Sequence, residues 1–165
     1  MFSKLKKFIG RYETKFCFGA TCAIITNLGL VAGLRTGEHA KVGILGGMLV
    51  IAVADNISDS VGIHIYQESV HLNKKEVWVS TLSNFLTRLI VSLTFILLVF
   101  FLPIQIAAAA VLIWGLFLLA VISYAIAREQ GINPYLAIAE HLGIAIAVII
   151  ASNYLGHSLI HKFNL

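Results

Sequence analysis

Apolar residues run along this chain in long blocks, and five of them, at about 15–34, 41–66, 82–102, 104–127 and 136–160, are long enough to cross a bilayer as helices, which takes about 20 residues each. The two-residue alternation of a membrane barrel is absent, and backbone in hydrocarbon must satisfy its own hydrogen bonds. The pattern therefore predicts an all-α membrane protein, a five-transmembrane-helix bundle. Residues 1–14 read differently. Phe2, Leu5, Phe8, Ile9 and Tyr12 share one helical face with Lys4, Lys7 and Arg11 opposite, which predicts an amphipathic helix lying on an anionic leaflet. The chain thus divides into an interfacial helix, 1–14, and a transmembrane domain, 15–165.

Composition agrees with that division. Of 165 residues 59% are hydrophobic and 12% charged, with a mean hydropathy of +0.90, outside the range of soluble domains. Eight cationic residues (Lys4, Lys6, Lys7, Arg11, Lys15, Lys74, Lys75, Arg128) fall on the side of the N-terminus and three (Arg35, Lys41, Lys162) on the other. This bias predicts a cytosolic N-terminus and an external C-terminus. It also accounts for the net charge of +4 with membrane lipid as the partner and no nucleic acid. Localisation follows as an integral membrane protein, of the inner membrane if the cell is prokaryotic.

The chemistry gathers at 53–66, VADNISDSVGIHIY, where Asp55 and Asp59 stand four residues apart inside the second apolar block. Ionisable groups at membrane depth are costly and face a bundle interior, a cavity or an ion path. At 100° per residue Asp55, Ser58, Asp59, Gly62 and Tyr66 form one stripe, and His64 falls opposite. On the first block Cys22, Thr26, Gly29 and Gly33 form another stripe, small enough for a second backbone to approach. If the first two helices pack antiparallel, Cys22 matches Asp59 in depth and Thr26 matches Asp55, at 1.5 Å per residue. Cys17 and Cys22 diverge on their helix, which predicts two free thiols. In the third block Arg88 has three possible fates: pairing with Asp59, pairing with Glu140, or reaching to the headgroups. Glu140 and His141 lie near the start of the fifth block, and His141, Ala145, Ser152 and Gly156 make a stripe of mostly small residues. Glu68 and His71 in the polar stretch 67–80 are a weaker pair.

Phe18-Gly-Ala-Thr-Cys-Ala-Ile-Ile-Thr26 leading to Val31-Ala-Gly33, with Ala54-Asp-Asn-Ile-Ser58 in the second block, resembles the first two helices of the vacuolar iron transporter family. Those helices read YGAxDGxxT with a downstream VAG, and ADxxSM followed by Gly and Tyr. The resemblance covers all five spans in order, with specific motifs in the first two. It implies a homodimer that exports a divalent cation, Fe2+ or Mn2+, from the cytosol, with possible coupling to protons. It implies metal contacts at Asp55, Asp59, Cys22, Thr26 and Ser58; to these the residues themselves add Glu140, which with His141 could relay protons or form a structural pair with Arg88, and Glu68 with His71, three apart, as weak cytosolic candidates. Two positions depart from the family: Cys22 stands where its aspartate does, and Asp59 where its methionine does. Either the ligands have exchanged helices, or the chain moves a different cation. The stretch 67–80 is too short for the large cytosolic metal-collecting domain of some members.

Carboxylate and hydroxyl oxygens suit hard cations, and a thiolate adds preference for softer ones. The metal is substrate, so no resident cofactor is expected. No Ser-His-Asp order, HExxH, phosphate loop or haem-ligand pair occurs, so an enzyme is not expected. The alternative to a transporter is a non-transporting membrane scaffold in which Asp55 and Asp59 satisfy internal polar contacts.

Overall fold

A computed structural model describes the backbone over residues 2–163 and the side chains over 18–159 and at 162. Every element among the described residues is helical. Helix α1 spans Phe2–Leu34. Next come α2, Ala40–Val50, a π-helical segment at Ile51–Asp55, and α3, Asn56–Ser69, which together form one continuous rod. Helices α4 (Lys74–Phe101), α5 (Ile104–Gln130) and α6 (Pro134–Phe163) follow. Four stretches are long and apolar enough to cross a membrane: Ala40–Ser69, Lys74–Phe101, Ile104–Gln130 and Pro134–Leu159. The apolar part of α1, Phe18–Leu34, is shorter than these. The backbone of α1 continues without a break into the interfacial segment expected at 1–14, whose side chains, like that of Cys17, lie outside the described residues.

The helix ends follow local chemistry. The Asn73 side chain accepts from the Lys75 amide at 3.1 Å and starts α4 at Lys74, eight residues earlier than the apolar block alone suggested, since a capped polar turn extends a helix beyond its lipid-sized part. The polar stretch 67–80 is consequently mostly helix, and only the tight turn 70–73 joins α3 to α4. Gly131, at φ 70°, ends α5 in the left-handed conformation that glycine adopts without a Cβ penalty. Asn133 caps α6 through the Tyr135 amide at 3.0 Å, and Pro134 takes the first helical position, where its missing N–H costs nothing.

Helix α1 is the hub, packed against α4, α5 and α6 and touching α2, whereas α3 packs on α4. The apolar core lies around the C-terminal half of α1, where Ile24, Leu28 and Val31 meet Ile44, Met48, Phe95, Val99, Ala107 and Val111, all fully buried. In lipid the tails are as apolar as the core, so close van der Waals fit, rather than escape from water, holds such helices together. The closest fit is between α1 and α6. A Cβ on Gly29 would meet Ser152 Oγ at 3.2 Å, and one on Gly33 the Ser152 carbonyl oxygen at 3.3 Å. A Cβ on Gly156 would run into the Gly33 carbonyl, with its carbon 2.7 Å away. The small stripes of α1 and α6 therefore pair with each other inside one chain.

Gly156→Ala forces that crossing apart, at the roughly 1–3 kcal/mol typical of overpacking. A melting temperature lowered by several degrees in detergent is expected, with Gly143→Ala, whose Cβ would meet nothing within 4 Å, as the unchanged control.

Candidate functional site

The buried face of α4 carries Ser80, Asn84, Thr87, Arg88 and Ser92 before it turns apolar at Phe95 and Val99. Four-residue spacing stacks Ser80, Asn84, Arg88 and Ser92 into a polar seam, and each finds a partner on a neighbouring helix. Gln67 donates to Ser80 at 2.7 Å, and Asn84 donates to Ser60 at 3.1 Å and, at the limit of a hydrogen bond, to Asp59 at 3.5 Å. Asn27 on α1 donates to Ser92 at 3.3 Å. Asn56 bridges the Ala52 carbonyl, at 3.4 Å, and the Phe85 carbonyl, at 2.9 Å. It thereby fastens the π segment, whose Asn56 amide bonds back to Ile51, onto α4.

Arg88 is the centre of the seam. Its side chain is only 4% exposed, and its guanidinium bonds Asp59 Oδ2 at 2.7 Å through Nη1 and Asp55 Oδ2 through Nη2. Of its three possible fates the structure takes the first and extends it to both aspartates; Glu140 is not a partner. Access for the arginine depends on Gly19, since a Cβ there would lie 2.7 Å from Asn84 Oδ1 and 3.3 Å from Arg88 Cγ. An isolated ion at the centre of a membrane helix costs about 3 kcal/mol on insertion scales, so charges in contact offset much of each other's cost. The offset is incomplete: two carboxylates and one guanidinium leave one negative charge over.

Of the residues expected at a metal site, Asp55 and Asp59 come together on Arg88, with side chains 49% and 31% exposed. Cys22, partly buried on α1, is an electrostatic neighbour of Arg88 and both aspartates. The matched depth of Cys22 and Asp59 thus appears as proximity through Arg88, with α4 standing between α1 and α3. Thr26 is turned to its own helix, donating to the Cys22 carbonyl at 2.8 Å. Ser58 is exposed on the outer face of the rod. Glu140 is placed elsewhere, in a cavity of about 490 Å³ between α1, α5 and α6 with His141, whose ring bonds Ser123 at 2.8 Å. Glu68 and His71 do not form the helical pair expected: His71 sits in the turn at φ 56°, and Glu68 faces His64 Nε2 at 3.5 Å. His64 lies off the aspartate stripe, bonded to Thr81 at 2.9 Å and edge-on to Trp78.

Among the described residues no three His, Cys, Asp or Glu side chains converge closely enough to hold a metal ion. Sequence reasoning missed the amides of Asn27, Asn56, Gln67 and Asn84. The available signal was the recurrence of small polar residues and amides at four-residue spacing in α4, between otherwise apolar positions. Comparison with protein-family models, with curated proteins and with solved structures gives no match.

Either aspartate alone can still pair with Arg88, so Asp55→Asn and Asp59→Asn each destabilise modestly. Both together strand a buried cation, which costs about 3–5 kcal/mol when a partner is removed outright. A double-mutant cycle by thermal melting should therefore show a combined loss well above the sum of the singles.

Proposed function

We propose that the protein is a secondary transporter of a divalent transition-metal cation, Fe2+ or Mn2+, moving it out of the cytosol with protons as the counter-ion. The observation that carries this reading is the Asp55–Asp59 pair: two carboxylates near the middle of the thirty-residue Ala40–Ser69 rod, partly exposed, with a net negative charge after Arg88 is counted. A fixed uncompensated anion at membrane depth calls for a mobile cation. The direction, the metal and the proton coupling rest on the resemblance to the vacuolar iron transporter family in the first two spans. In the same reading the described Phe18–Leu34 segment is completed toward the N-terminus to give a fifth span, and the cationic residues at 4–15 hold that end in the cytosol.

The reading includes a homodimer joined through the α2–α3 rod. Gly43, Gly46 and Gly62 meet nothing within 4 Å, and Asp55 and Ser58 share that open side. A twofold axis there would double the ligand set and cover the carboxylates. One observation favours the scaffold instead: Arg88 already engages both aspartates, as a purely structural ion pair would.

The two readings separate in proteoliposomes. A transporter takes up Mn2+ down its gradient, and Asp55→Asn or Asp59→Asn lowers the rate at least tenfold; a scaffold shows no uptake above empty vesicles. The interface is checked by oxidative cross-linking, where Gly46→Cys or Gly62→Cys should yield a covalent dimer and Gly33→Cys should not.

A further inference from the structure

We propose that Arg88 is the resident cation of the Asp55–Asp59 site, holding the carboxylates while no metal is bound and yielding at least one of them when a metal arrives. The inference rests on the reading of that pair as a cation site and adds what sets its affinity. A guanidinium is charged at every relevant pH and presents donors in a fork that matches carboxylate oxygens. Here it bonds one oxygen, Oδ2, of each aspartate. A divalent ion ligated by the same carboxylates would sit within a few ångströms of a fixed positive charge, in a medium where Coulomb repulsion is much stronger than in water.

The arginine has somewhere to go. Its Nε is buried without a partner among the described residues, and so is Asn84 Oδ1, one helical turn away on the same face of α4. One is a donor and the other an acceptor, and Asn84 Oδ1 and Arg88 Cγ both pack against Gly19, whose lack of a Cβ is what lets these two side chains lie side by side against α1. Turning the guanidinium from the rod toward Gly19 joins the two unpaired groups and frees carboxylate oxygen. Two arrangements of one side chain, each satisfying groups the other leaves unpaired, form a bistable element of the kind ligands can bias. A bound metal is then held against an internal competitor. Its affinity is lower than two free carboxylates would give, and release is correspondingly easier. Singly charged ions, with half the attraction to the same oxygens, compete less well against the guanidinium.

The test is calorimetric titration of the purified full-length protein with Mn2+ and with Cd2+. Arg88→Gln is expected to bind at least tenfold more tightly than the wild type, and Arg88→Lys, whose single ammonium faces one carboxylate at a time, to fall between them. The triple variant Arg88→Gln, Asp55→Asn, Asp59→Asn is the blank. Wild-type or weaker affinity in Arg88→Gln and Arg88→Lys, with binding still abolished in the blank, overturns the role of Arg88 and leaves the cation site standing. If Arg88→Gln does not fold, Arg88→Lys decides alone, and an unchanged affinity overturns the proposal. No binding above the blank in any of the proteins removes the cation site and the proposal together.

Discussion

The guanidinium of Arg88, clasped by carboxylates from the neighbouring rod, is the interaction on which the lower half of the bundle depends. Helix α3 packs on α4, and polar contacts run along that interface: Gln67 to Ser80, Asn84 to Ser60, Asn56 to Phe85, with the Arg88 pair at its centre. Hydrogen bonds between membrane helices contribute on average only about 0.6 kcal/mol each. Such a seam fixes register more than it supplies cohesion. Sliding α3 by one turn would leave every partner mismatched at once, and the buried charge without its counter-charges.

The bundle thus has two halves held by different physics. Around the C-terminal half of α1 the core is aliphatic, and α5 meets it through small residues; Gly115 is so closely covered by Leu28 that a Cβ would lie 2.6 Å from its Cδ2. Along the α3–α4 interface polar side chains face one another, and the amide oxygens of Asn56, Gln67 and Asn84 remain buried without partners among the described residues. The aliphatic half has one well-packed arrangement. The polar half has spare acceptors, so its side chains have alternatives. The proposed cation path would use this division of labour: a rigid frame next to groups that can exchange partners.

Much of this was legible from residue type and spacing. Block length predicted the helices, since hydrocarbon thickness leaves few other solutions, and the cost of charge in lipid singled out Asp55 and Asp59. The small stripes of the first and fifth apolar blocks, on α1 and α6, were correctly read as places of close approach. Their partner was not legible, because a glycine stripe specifies that something comes near without saying what. The same holds for Arg88: its charge demanded a counter-charge, and sequence offered both Asp59 and Glu140 at similar depth. Choosing between them required knowing that α4 lies against α3 and not against the part of α6 that carries Glu140. The π segment left no mark in the pattern of apolar positions, since one residue wound more widely at 51–55 hardly alters it.

The crossing of Gly33 and Gly156 also orders events in time. These glycines belong to α1 and α6, so a very close contact among the described residues joins segments far apart in sequence. Chains are made from the N-terminus. The grooved side of α1 therefore stays uncovered in the bilayer until the ribosome has made α6, and this crossing closes only when that helix arrives. A chain truncated before Ser152 keeps most of its spans but leaves that groove open.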